Sequence, residues 1–285
     1  MRSLTRILAI VDTRKEISIA LNRARMIAKA TGVPLVALAP NPHPTEQTKA
    51  ALEAMLKPLR DEGLDVTGSE QWHGGVIETI IHVRQVERCS LVIKQPKKEH
   101  GLKTLISRPE DWNLLRQCRV PILLVRNDTS WMKGRILAAI DACPKDSDHA
   151  ILNDVILEHA AAIANFTESE LHMGSAYPGL MLTGEDTEAD ARNRYQDNCE
   201  KLAEQYEVPT DNIHVKEGPA ETFIPELSKE VDASLVVMGT VANTSLKGAL
   251  LGNTAEQILG MIHTDVLALR PRDLMDPLEK VLGKN

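Results

Sequence analysis

Short apolar runs alternate with longer amphipathic stretches along the whole chain. Residues 7–11, Ile-Leu-Ala-Ile-Val, are rich in β-branched side chains and do not alternate apolar with polar, which predicts a strand covered on both faces, as inside a parallel sheet. Ile17, Ala20, Leu21, Ala24, Ile27 and Ala28 then recur at helical spacing, and residues 33–38 read as a second strand. Ala51, Leu52, Met55, Leu56 and Leu59 predict a second helix, in which Pro58 implies a kink or an early end. A weak strand at 64–66, a helix at 76–86, a strand at 91–94, a helix at 111–118 and a strand at 121–125 complete a first round of elements.

The pattern then starts again. Arg6-Ile7-Leu8-Ala9-Ile10-Val11-Asp12 returns 129 positions later as Arg135-Ile136-Leu137-Ala138-Ala139-Ile140-Asp141. Further on, Ser90-Leu91-Val92-Ile93 matches Ser234-Leu235-Val236-Val237, and residues 122–126 match 266–270, both 144 positions apart. The growth in offset puts about 15 extra residues in the second copy, most simply between His172 and Asp190, where Pro178, Gly179, Gly184 and several acidic residues predict a long polar loop, either a lid or a surface excursion. In the second copy, helices are expected at 151–163, 191–206, 220–231 and 254–262, and strands at 135–140, 170–173, 213–215, 235–238 and 266–269. Strands alternating with helices of this length form right-handed βαβ units around a parallel sheet. The expected architecture is α/β, two tandem five-stranded parallel-sheet domains over residues 1–128 and 129–273, with a tail at 274–285.

Composition narrows the function classes. With 43% hydrophobic but only 3% aromatic residues, the cores are mostly Leu, Ile, Val and Ala, and aromatic stacking is not expected as a main recognition device. The formal charge of −7 argues against broad nucleic-acid binding through net charge. Cys89, Cys118, Cys143 and Cys199 form no CxxC pair, which suits reduced thiols in a cytoplasmic protein, and no apolar run is long enough for a membrane span. The nine histidines show neither HxxxH nor HExxH spacing, so no metal site is expected, and no GxSxG elbow or Cys/His arrangement supports covalent catalysis.

In a doubly wound sheet, ligands bind beyond the carboxyl ends of the strands, where chain order reverses. That directs attention to Asp12, to Asp141 and to the loops after Lys94 and Met238. Asp12 and Asp141 either cap the next helix or mark an inherited site. After residues 235–238 the chain reads Gly239-Thr240-Val241-Ala242-Asn243, and Gly252-Asn253-Thr254 leads into the last helix. Thr254 with Gln257, or Asn253 with Glu256, fits a capping box. A glycine at the strand end and another before a helix N-terminus suit a phosphate-type anion, although the same glycines also serve as plain loop punctuation. The stretch is neither a Walker A loop nor a GxGxxG fingerprint.

A strand ending in Asp, a repeated α/β unit and a loop of the pattern G-x2-G-x9-G-[ST] resemble the universal stress protein family in its tandem-domain form, over about residues 3–272. The resemblance implies sheets of strand order 3-2-1-4-5 and, as in many members, ATP binding. It would place Asp141 by the adenine or ribose, Met238 and Gly239 along the nucleotide, and Gly252, Asn253 and Thr254 at the phosphates. It also implies an intramolecular pseudo-dimer through the strands at 122–125 and 266–269, with a further homodimer open. Two positions depart from the pattern: Ala242 stands where the second Gly belongs, and Asn253 where Ser or Thr belongs. If position 242 needs a left-handed backbone, alanine there costs roughly 1–2 kcal/mol, enough to weaken binding about tenfold or to reshape the loop. In the first copy the matching positions are Gln95, Lys98, Arg108 and Glu110, so no glycine survives, and Lys94, Lys97, Lys98 and Lys103 read as a solvated lysine loop or a charge-only anion site. The implied function is a stress-response protein that holds ATP or a related nucleotide in its second domain. The alternatives are a scaffold or small-ligand binder without nucleotide, and a slow ATPase.

Overall fold

The computed structural model describes residues 4–96, 109–177, 179, 188–240 and 252–270. The chain divides into two compact units, Met1–Gly101 with Ile106–Asp128, and Leu102–Leu105 with Thr129–Asn285. The first contains β1 (Ile7–Ile10), α1 (Ile19–Thr31), β2 (Leu35–Pro40), α2 (Glu46–Asp61), β3 (Val66–Gln71), α3 (Val76–Val86), β4 (Leu91–Lys94), α4 (Pro109–Gln117) and β5 (Ile122–Leu124). Its strands are all parallel, in the order β3-β2-β1-β4-β5. The second contains β6 (Arg135–Ala139), α5 (Ser147–Thr167), β7 (Glu170–Tyr177), α6 (Glu188–Gln205), a 3-10 turn (Thr210–Asn212), β8 (Ile213–Glu217), α7 (Ala220–Glu230), β9 (Leu235–Gly239), α8 (Asn253–Met261) and β10 (Asp265–Leu269). Its order, β8-β7-β6-β9-β10, repeats that of the first, again with every strand parallel.

The central strands explain their own sequences. Ile7, Leu8 and Ala9 in β1, and Leu235, Val236 and Val237 in β9, are wholly buried, because helices cover both faces and no position is free to be polar. Helix α1 shows how local signals set the boundaries. The Ser18 hydroxyl accepts from the Leu21 amide at the N-cap, and Gly32 ends the helix in the left-handed conformation at φ 70. Ala20, Leu21, Ala24, Ile27 and Ala28 face the core between those ends. Thr45 and Thr48 close a reciprocal capping box on α2, and the helix stops at Asp61, less than one turn after Pro58.

Several boundaries differ from the expectation, each for a tertiary reason. The third strand lies at Val66–Gln71 rather than 64–66, because it is an edge strand that buries little beyond Val66; pairing with β2, from Leu35 with Val66 to Pro40 with Gln71, defines it. Likewise β8 runs on to Glu217 and β7 to Tyr177, paired Tyr177 with Glu217. The extra length of the second copy is also split. Ile7 pairs with Leu35 and its counterpart Ile136 with Leu171, so the offset has already grown by seven before β7. Helix α5 absorbs that growth, with 21 residues against 13 in α1. The polar-loop reading at 178–187 and the tail at 274–285 lie outside the described residues, Gly179 apart.

Candidate functional site

In the second unit the chain reverses direction across the sheet between β6 and β9, whose register pairs Ala139 with Met238. The carboxyl ends of these two strands therefore lie side by side and bring Asp141, Met238 and Gly239 to one edge of the sheet. Met238 is buried at 3% exposure, while Asp141 and Gly239 are partly exposed. Gly239 packs closely against α5; a Cβ there would lie 2.3 Å from Leu152 Cδ2. A side chain at this point would have to displace Leu152.

The loop after β6 is pinned from three elements. Asn153 of α5 accepts from the Asp141 amide at 3.1 Å and donates to the Asp141 carbonyl at 2.6 Å. Ser175 of β7 accepts from the Ala142 amide at 3.1 Å. Asn198 of α6 donates to the Ala142 carbonyl at 3.0 Å. The Asp141 carboxylate in turn accepts from the Cys143 amide at 3.1 Å. The backbone that carries the Asp141 carboxylate is thus held in place just beyond the carboxyl end of β6. Tyr195 stands close enough to feel Asp141 and Cys143, and burial, reinforced by those two groups, pushes its phenol up to about 12. Cys199 is likewise pushed up to about 12 by burial, so it remains a neutral thiol.

At the end of β9, Thr240 bonds twice to the Leu269 carbonyl, and the Gly252 amide donates to the Thr240 carbonyl at 3.3 Å. These bonds hold the start of α8 against the end of β9. Gly252 is the N-cap, at φ −70 and ψ 143, and no side chain caps the helix. The expected capping box is therefore corrected. Asn253 and Thr254 are already in the helix and exposed, so neither is placed to receive the first-turn amides as an N-cap residue. Tied through Gly252 to Thr240, the positive end of the helix lies at the carboxyl end of β9. Ala242 lies outside the described residues.

The equivalent edge of the first unit is built differently. Both carboxylate oxygens of Asp12 bond Arg14, at 2.8 and 2.9 Å, and this pairing holds its carboxyl below the usual range. Asp12 is thus ion-paired by a side chain of its own loop, whereas the Asp141 carboxylate accepts there from the Cys143 amide. Lys94, read from sequence as part of a solvated lysine loop, is 5% exposed and ion-paired with Asp111 in the first turn of α4. The burial follows from its place as the last residue of an inner strand. Gln95 accepts from Lys15 at 3.3 Å; Lys97, Lys98, Lys103 and Arg108 lie outside the described residues. Sequence reasoning also missed Asn153, whose signal was a single amide among Leu152, Val155 and Ile156 on the apolar face of α5.

Among the described residues, no cluster of three or more His, Cys, Asp or Glu could hold a metal, and no helix is long and apolar enough to cross a membrane. Comparison with known proteins agrees with the architecture. The family model for the universal stress protein family matches residues 132–270. Universal stress protein E of Salmonella typhi is 30% identical over 245 residues, covering 82% of this chain and 75% of that protein. A universal stress protein E homolog of Haemophilus influenzae is 29% identical, over 79% of this chain and 76% of its own. The crystal structure of a functionally unknown protein from Pseudomonas aeruginosa superposes with a TM-score of 0.87 at 35% identity, covering 100% of this chain and 99% of that one. With that identity spread over most of both chains, and with the same strand order in each unit, the chain belongs to the universal stress protein family.

Proposed function

We propose that this protein is a stress-response protein whose second unit binds ATP or a related nucleotide, the first unit serving a structural or regulatory role. The observation that carries this reading is the N-terminus of α8 at Gly252, without a side-chain cap and tied to the end of β9, whose neighbouring strand β6 leads into the clamped Asp141. Helix-start amides and the helix dipole suit a phosphate chain. Asp141 suits a ribose hydroxyl or an adenine amine, since an ionised carboxylate accepts hydrogen bonds and does not donate. Met238 offers an apolar surface at the strand end. Asn253 and Thr254, exposed on the first turn, would flank the phosphates, and Ala242 would narrow or weaken the loop relative to a glycine.

Nucleotide at about ten times its Kd should stabilise the fold by about 1.4 kcal/mol, a rise in Tm of about 2–4 °C per kcal/mol for a domain of this size. Differential scanning fluorimetry with ATP, ADP and AMP at millimolar concentration reads this directly. Gly252→Asp is the matched control: the aspartate caps α8 and preserves the fold, but sets a negative charge where the phosphates would lie. The reading fails if none of the three nucleotides shifts the wild-type protein, or if Gly252→Asp shifts equally.

A further inference from the structure

Two thiols converge on the loop that carries Asp141. Cys143 follows β6 and is partly exposed, whereas Cys199 lies on the buried face of α6 at 0% exposure. Both are free thiols. Asn198, the residue before Cys199, reaches across to the loop: its side-chain amide donates to the Ala142 carbonyl at 3.0 Å and to Cys143 Sγ at 3.4 Å. The Cys199 sulfur hydrogen bonds with Ser175, whose hydroxyl oxygen accepts from the Ala142 amide at 3.1 Å. Asn198 and Ser175 therefore gather both sulfurs around one residue, Ala142. Cys143 stands close enough to add to the burial that pushes the Cys199 thiol up to about 12. The two sulfurs differ in access, and access to a solute oxidant sorts thiols into those that react first and those that do not.

We propose that Cys143 and Cys199 are a redox-responsive pair, in which Cys143 reacts with a peroxide and Cys199 resolves the product to an intramolecular disulfide. In the first step the Cys143 sulfur attacks one oxygen of hydrogen peroxide, the O–O bond breaks, and a sulfenic acid and water result. In the second the Cys199 sulfur attacks the sulfenic sulfur, the S–O bond breaks, and the hydroxyl leaves with the Cys199 proton as water. The peroxide is reduced by two electrons and the two thiols are oxidised. The new bond ties α6 to the loop, and the Cys143 amide that donates to the Asp141 carboxylate is drawn with it. The pair stands whether or not the second unit binds a nucleotide, so its failure and the failure of that reading are separate results.

Hydrogen peroxide, added to the reduced protein and then removed with catalase, tests this. Denatured and alkylated without reductant, the wild-type protein should keep two of its four thiols, those of Cys89 and Cys118, which are buried in the first unit. A peptide map should show the segments bearing Cys143 and Cys199 joined, lighter than their sum by two hydrogens, and dithiothreitol should release them. Cys199→Ala should stop Cys143 at the sulfenic acid, trapped by dimedone, and Cys143→Ser should leave Cys199 reduced at the same peroxide dose. The wild-type map decides the matter should either variant fail to fold. The proposal is overturned if all four thiols survive, if Cys143 is oxidised while Cys199 stays alkylatable, or if the Cys143 disulfide joins two chains. Loss of the Cys199 thiol in Cys143→Ser overturns it as well, since Cys199 would then not depend on Cys143.

Discussion

Asn153→Ala tests whether the fold, and not the loop itself, positions Asp141. Asn153 is 5% exposed and makes two hydrogen bonds to the Asp141 backbone. Each such bond contributes about 0.5–1.5 kcal/mol net, so the pair contributes about 1–3 kcal/mol. Alanine recovers part of that loss through its better helix propensity, roughly 0.5 kcal/mol within α5. The expected destabilisation is about 0.5–2.5 kcal/mol by the bracket of those two effects. Urea unfolding with an unchanged m-value measures it, and nucleotide titration of the same variant should show weaker binding, because the Asp141 carboxylate is no longer held in place. Asn153→Asp sharpens the test. Its carboxylate still accepts from the Asp141 amide but faces the Asp141 carbonyl without a proton to donate. Relative to wild type it should be worse than alanine at neutral pH and should improve as the pH is lowered and the new carboxyl protonates. An Asn153→Ala variant that unfolds within a few tenths of a kcal/mol of wild type and binds nucleotide equally well would refute the reasoning.

Gly239→Ala should destabilise the second unit by about 1–3 kcal/mol through overpacking, because its Cβ would lie 2.3 Å from Leu152 Cδ2 and 3.0 Å from Leu152 Cγ. A double-mutant cycle with Leu152→Ala should show the alanine costing less once the leucine is gone, and strictly additive losses would contradict the contact. The second unit should also lose stability in mild acid. His172 Nδ1 lies 3.1 Å from His214 Nε2, and burial lowers both pKa values below 6.5, Arg135 adding to the effect at His172 and His172 itself adding to it at His214, while Glu170 and Glu230 oppose it. The unfolded chain then binds more protons than the folded one between the lowered pKa values and 6.5, so stability falls as pH drops through 6.5 and levels off below the folded values. His214→Gln should flatten this slope in equilibrium unfolding between neutral pH and about pH 5; an unchanged slope would show that the pair does not titrate as described.

The elements most legible in the sequence were those whose environment is uniform. The inner strands of both sheets could be read because burial on two faces leaves only apolar residues, and α3 at Val76–Val86 because one apolar stripe and two clear ends define it. The edge strands β3 and β8 were under-read for the converse reason. Thr67, Gly68, Ser69, Glu70 and Gln71 carry no strand pattern and are strand only because β2 supplies their hydrogen bonds. The cap of α8 was misplaced because two overlapping residue pairs fit the same local motif, and the backbone chose Gly252 instead.

The sequence by itself determined that this chain is a repeated α/β unit, that a glycine-bearing strand end survives in the second copy only, and that an aspartate follows the first strand of each. Those are properties of residue order and periodicity, and they persist in any register the sheet adopts. Only the tertiary structure decided what the two aspartates do, since Asp12 is paired by Arg14 within its own loop while Asp141 is clamped by residues from α5 and supported by β7 and α6. It alone also decided that Lys94 is buried against Asp111 rather than solvated. The physical reason is that a charge is worth what its partners and its solvent make it: the Arg14 pairing of Asp12 is local, but the bonds that hold residues 141–142 and the burial of Lys94 come from other elements of the fold.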